Sequence, residues 1–211
     1  LEPGETREEF IPDTYPAHKV TLSDFYIGKY LVTQQLWNEV MGKNTSKFQG
    51  DSLPVTSVSY DDVQAFIQKI NELTGKSYRL PTEAEWEFAA RGGNESKGYL
   101  YSGGSNIDDV AWHGENSGDT THPVGLKQPN ELGIYDMSGN VYEWCSDFYK
   151  SDYYSESPEN NPTGPTEKSE RFTTHVLRGG SYGDNEFICQ VDFRAPLDEA
   201  IEVFGFRLAR N

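Results

Sequence analysis

Residues 135–147 read YDMSGNVYEWCSD. Asp136, Asn140, Glu143 and Asp147 bring four oxygen-bearing side chains into a short span that turns at Gly139. Hard cations such as Ca2+ are held by carboxylate and amide oxygens together with main-chain carbonyls. The spacing is not that of an EF-hand. Two readings therefore stand at this point: a calcium loop, or a tight Asx-type turn with Glu143 in an ion pair. The run VYEWC that leaves the turn is short, apolar and aromatic, the signature of a strand.

Outward from this stretch the two halves of the chain differ. On the amino-terminal side, HKVTLSDFYIGKY (18–30) alternates apolar and polar residues and predicts one or two strands. TQQLWNEVMG (33–42) predicts a helix with Thr33 as N-cap and Gly42 as its stop. Ser59 followed by Asp62 opens a second helix, whose Val63, Phe66, Ile67, Ile70 and Leu73 recur at helical spacing before Gly75. Thr82 with Glu85 forms a capping box for a third, with Ala84, Trp86, Phe88 and Ala89 as its apolar members and Arg91-Gly92-Gly93 as its end. Beyond residue 93 the pattern becomes short apolar runs (YLY, VAW, IYDM, HVLRGGSY) between clusters of Gly, Asn, Asp, Ser and Pro. Helices first and strands later, with no βαβ rhythm and no repeat, predict an α+β domain. The polar stretch 151–170 predicts a long surface loop, in which Tyr153 and Tyr154 would be an exposed aromatic pair suited to a peptide or sugar. The other aromatics near the turn, Tyr142, Trp144, Phe148 and Tyr149, are assigned to the core.

The chain has 211 residues, enough for one large core, so a single domain over 1–211 is expected, with 1–17 an amino-terminal extension or partial first strand. The net charge of -16 disfavours nucleic acid and anionic bilayers as partners, because both require a positive surface, and favours small cations. No stretch approaches the ~20 apolar residues of a membrane span. The segment 1–10 lacks a targeting pattern, and an extracytoplasmic setting, secreted, periplasmic or lipid-anchored, is the expectation. Cys145 and Cys189 allow one pairing; buried hydrophobes, a bridge and a reactive thiol all remain open for them. His18, His113, His122 and His175 have no mutual ligand spacing and read as structural, and neither HExxH nor GxSxG occurs.

The order of motifs narrows the reading. YRLPTEAEWEFAARGG from Tyr78, THPVG from Thr121, NELGIYDMSGNVYEW from Asn130, VLRGGSY from Val176 and GFRLA from Gly205 together resemble the formylglycine-generating, sulfatase-modifying family from about His18 to the carboxyl end. The resemblance implies a C-type-lectin-like α+β fold with little regular secondary structure and bound calcium. It places a calcium site on Asp136 and Glu143 with the carbonyls of Gly139 and Val141, and a second near Asn106, Ile107 and Asp119. Oxidases of the family hold copper(I) between two cysteine thiolates shortly after GGS. Here GGSYGDNEFIC puts Asp184 at the first position and Cys189 at the second, with Ser181 beside them. A carboxylate oxygen cannot complete a soft-metal bis-thiolate site, so Cu+ is not expected. Non-oxidase relatives pair a WEWC cysteine with one in this region, which would bring Cys145 and Cys189 together.

The resemblance thus implies a non-catalytic, calcium-stabilised module that recognises a protein, peptide or glycan. Its ligand face would correspond to the one that lectin-like relatives, including retroelement-diversified proteins, display across 183–204. The residues carried onto that face are Asp184, Asn185, Glu186, Phe187, Asp192, Asp198, Glu199 and Glu202. The alternatives are a copper-dependent formylglycine-generating oxidase using Cys189 and Ser181, and a structural lipoprotein-type subunit of a cell-envelope machine.

Overall fold

Each of the three longer helices begins where a hydroxyl closes its first turn. In α1 (Gln34–Met41) the Thr33 hydroxyl accepts the Leu36 N–H at 3.3 Å, and Gly42 ends the helix in the left-handed region. In α2 (Tyr60–Thr74) and α3 (Glu83–Ala90) the capping boxes Ser59/Asp62 and Thr82/Glu85 are complete in both directions. A single turn, α4 (Ile107–Val110), follows. The computed structural model describes residues 12–168, 174–197 and 201–211.

The strands are few. A four-stranded sheet runs in the order β4 (Arg194–Ala195), β3 (His175–Arg178), β2 (Tyr142–Phe148), β5 (Phe204–Gly205). β2 is antiparallel to β3, with Trp144 opposite Leu177, and parallel to β5. A second, two-stranded sheet pairs β1 (Tyr26–Ile27) with β6 (Ala209–Arg210) near the chain's end. The strand expected over 18–30 is therefore shorter than its alternation suggests. Within 18–25 no strand forms; Thr21 makes an isolated bridge, donating to the Glu159 carbonyl and accepting the Asn161 N–H.

Alternation along β2 decides what each side of the sheet meets. Tyr142 and Trp144 join the larger core, where Trp37 of α1 stacks on Phe66 of α2 at 5.1 Å and Phe204 and Phe206 close the gap. Cys145 faces the other way, into a smaller core with Trp86, Ala89 and Ala90 of α3, Met137 and Val176. On that second side the sheet carries charge. Arg178 and Arg194 are 0% and 2% exposed, and Glu83 of α3 is 3% exposed between them. Arg178 of β3 and Arg194 of β4 draw Glu83 inward, while Phe88, one of the apolar members of this helix, is 37% exposed.

Candidate functional site

The turn before β2 is built on positive φ. Asp136, Gly139 and Asn140 have φ of 58°, 71° and 66°. Gly139 is required by contact as well as conformation, since a Cβ there would lie 2.2 Å from the Trp112 carbonyl oxygen. Asn140 pins the turn to a neighbouring loop, accepting the His122 N–H at 3.0 Å and donating to its carbonyl at 3.1 Å. Asp136 accepts the Gly125 N–H at 2.7 Å, and burial pushes its carboxyl up to about 6.

Glu143, fully buried, lies on β2 rather than in the turn. Arg207 meets it with two bonds of 2.6 and 2.8 Å and also donates to the carbonyls of Gly28, Tyr135 and Asp136. The reading of Glu143 as an ion-paired residue thus has its counterpart in Arg207. Asp136 and Glu143 remain two carboxylates for one guanidinium, a donor set that fits a hard divalent cation in kind. Among the described residues no three His, Cys, Asp or Glu converge, so such an ion would rely on those two and on main-chain oxygens. Asp147, read from the sequence as part of the same oxygen cluster, sits at the far end of β2 against α3. At the second implied site the Asn106 amide donates to Asp109 at 3.1 Å, whereas the Asp119 N–H bonds Ser117 at 3.2 Å.

The position after GGS is a closed knot. Asp184 Oδ2 accepts the Ser181 N–H at 2.8 Å and the Ser181 hydroxyl at 2.6 Å. Cys189 is buried among Tyr101, Ile107 and Val110, and burial, reinforced by Asp184, pushes its thiol up to about 12. Its sulfur therefore stays protonated at neutral pH. The Cys145–Cys189 bridge implied by the resemblance is not formed: both cysteines are free and buried, each in a different apolar cluster, Cys145 behind β2 with Trp86 and Cys189 beside α4.

Beside α3 lies a network of buried charges. Arg194 grips both Glu83 oxygens at 2.8 and 2.7 Å, and Arg178 bridges Glu83 and Glu87. Tyr154 donates to Glu83 and Glu87, and its ring lies 4.6 Å from the Arg194 guanidinium. Tyr153 is buried. The exposed aromatic pair expected from the polar loop is instead folded inward, Tyr154 because its phenol finds Glu83 and Glu87, and Tyr153 as a buried ring beside it.

A family model described as the sulfatase-modifying factor enzyme 1-like domain matches residues 1–211, the whole chain. The chain belongs to this family. Within it, the chain is 40% identical to the chaperone protein LppX of Paenibacillus barcinonensis, over 88% of this chain and 79% of that one. It is 36% identical to the formylglycine-generating enzyme of Streptomyces coelicolor over 72% of this chain, and spans only 49% of that relative's length. Among solved structures, Treponema denticola variable protein 1 superposes with a TM-score of 0.83 at 32% identity, covering 92% of this chain and 86% of that one. PvdO from Pseudomonas aeruginosa gives 0.79 at 29% identity, over 95% and 85%. The α+β, C-type-lectin-like fold of the family is thus the fold of this chain.

Against that family frame, the eight residues carried onto the ligand face divide. Asn185, Glu186 and Glu202 are exposed, Glu202 in an ion pair with Lys47 at 2.9 Å, and Asp184 and Phe187 are half-buried nearby in sequence. Asp192 lines a cavity beside α3 to which none of those five contributes. Asp198 and Glu199 fall outside the described residues. Sequence reading missed Glu83, Glu87, Arg178 and Arg194 as a network. The one available signal was two acidic residues on the face of α3 that also carries Trp86 and Ala90.

Proposed function

We propose that this chain is a non-catalytic binding module of the sulfatase-modifying factor enzyme 1-like family. In this reading a calcium ion reinforces its scaffold, and its carboxyl-terminal face recognises a protein, peptide or glycan in an extracytoplasmic setting. The observation that carries the proposal is Asp184. It stands where a second thiolate would be needed and is already bonded to Ser181, while Cys189 is a buried thiol of raised pKa. A hard oxygen and a protonated sulfur do not make a copper(I) site. The chaperone name of the LppX relative is consistent with a role in binding.

Three measurements test it. Copper-loaded protein incubated with a sulfatase-motif peptide should yield no cysteine-to-formylglycine conversion by mass spectrometry, and turnover would overturn the reading. Immobilised protein screened against peptide and glycan libraries should retain a defined class of ligand that Asn185→Ala/Glu186→Ala weakens; retention indifferent to that face would also count against it. Calcium would be held by the side chains of Asp136 and Glu143 and the carbonyls of Gly139 and Val141, tying the turn to β2. Its removal by a chelator should lower Tm by ~5–10 °C, from a linkage term of ~2.7 kcal/mol at a hundredfold excess over Kd. An unchanged Tm removes calcium from the account.

A further inference from the structure

Between the stretch 14–22, helix α3 and the loop that carries Tyr153 and Tyr154 lies a cavity of about 410 Å3. Its volume is that of a site for a small molecule rather than for a few waters. Its walls combine aromatic and acidic surface, with His18 and Arg91 also in the lining and Arg91 paired to Glu87. Tyr15, Phe88, Tyr153 and Tyr154 supply aromatic surface, and Glu83, Glu87, Asp147 and Asp192 supply carboxylates.

The carboxylates differ in what already faces them. Glu83 has Arg194 and Arg178, and Glu87 has Arg178 and Arg91. Asp147 is only 2% exposed and makes no ion pair with any described residue. Its two hydrogen bonds, from the Glu83 N–H at 2.9 Å and the Ser146 hydroxyl at 3.0 Å, both fall on Oδ2. Oδ1 is left without either donor on a residue that lines the cavity. Arg194 lies near enough to offset part of the burial but is committed to Glu83, so Asp147 has no ion pair of its own; an ammonium brought beside it removes the remaining cost while aromatic faces attract the same cation. The free protein registers the cost, because burial, with Glu83 second, outweighs the two hydrogen bonds and Arg194 and pushes the Asp147 carboxyl up to about 7.

We infer that this cavity is a binding site for a small organic cation, a primary ammonium on an aromatic or apolar body, with Asp147 as counter-ion and the tyrosine and phenylalanine rings against the body. The site is separate from the Ser181–Asp184 knot and from the exposed residues Asn185, Glu186 and Glu202, so it does not depend on the proposed function.

Tyramine and p-cresol share a phenol ring and differ in the ammonium, which makes them the discriminating pair. Calorimetry and saturation-transfer NMR at pH 7.5 should show tyramine binding wild-type protein at least tenfold more tightly than p-cresol. Asp147→Asn should abolish that preference by weakening tyramine at least tenfold while leaving p-cresol unchanged. Ala84→Trp, which fills the cavity from α3 without altering charge, should remove both. Equal affinity for the two ligands, an Asp147→Asn protein that still prefers tyramine, or no tyramine binding at millimolar concentration would each overturn the inference. Should Asp147→Asn fail to fold, as judged by circular dichroism, the ligand pair on wild type together with Ala84→Trp decides the outcome.

Discussion

Asp147 shows how one residue records its surroundings. Its carboxyl has an ordinary value of 3.8 and is pushed up to about 7 in the fold, first by burial and then by Glu83. Between those values the native state holds a proton that the unfolded chain has released. Stability from this group therefore falls as pH rises through the window, by at most ~1.4 kcal/mol per unit, and is level below it. Asp147→Asn keeps the shape and removes the ionisation. The variant should gain stability over wild type on going from pH 5 to pH 8, read as a widening difference between urea midpoints. A difference that does not change with pH would show that Asp147 is not held protonated.

At the scale of the element, α3 is held at two strengths. Its own sequence supplies the Thr82/Glu85 capping box. The rest of the fold supplies Arg194 and Arg178 on Glu83, and through Glu83 ties the first turn of the helix to two strands. A lost cap hydroxyl costs about 1 kcal/mol. Removing one partner of a buried, bidentate ion pair costs ~3–5 kcal/mol, because the other charge stays buried. Thr82→Ala should thus be the milder change and Glu83→Gln the severe one, measured by chemical denaturation; equal losses would mean that the arginines do not anchor the helix. β2 shows the same division. Its apolar run marks a strand, yet nothing in YEWCSDF says that Glu143, Cys145 and Asp147 share a face that is buried too, because alternation ordinarily puts polar residues in water.

At the scale of the molecule, the described residues form two sheets of six short strands in all and four α-helices, leaving many of them in turns, so side-chain networks carry a large share of the cohesion. Three buried arginines, Arg178, Arg194 and Arg207, cross-link segments far apart in sequence, Arg207 joining the carboxyl end to Gly28, Tyr135 and Glu143. No disulfide contributes among the described residues. Reductant should consequently leave Tm unchanged, and a thiol reagent should titrate two cysteines only after denaturation. A drop in Tm on reduction, or fewer than two thiols in denaturant, would contradict the free, buried state of Cys145 and Cys189. Among the described residues no helix is long and apolar enough to span a membrane.

The sequence by itself determined the three longer helices with their caps and stops, the α+β class, the family, and the presence of Asp184 rather than a cysteine shortly after GGS, because each depends on residues close along the chain or on identity at one position; the single turn α4 was not legible in it. It located the oxygen-rich turn, though not that Arg207 would meet Glu143 from 64 residues away. Only tertiary structure decided that Glu83 and Asp147 would be buried, that Tyr153 and Tyr154 would fold inward, that the two cysteines would sit in different clusters, and that a cavity would open beside α3. Those outcomes depend on which distant charges and rings arrive at a surface. Local periodicity reports that a residue is polar or aromatic, whereas burial depends on whether a partner from elsewhere compensates its desolvation.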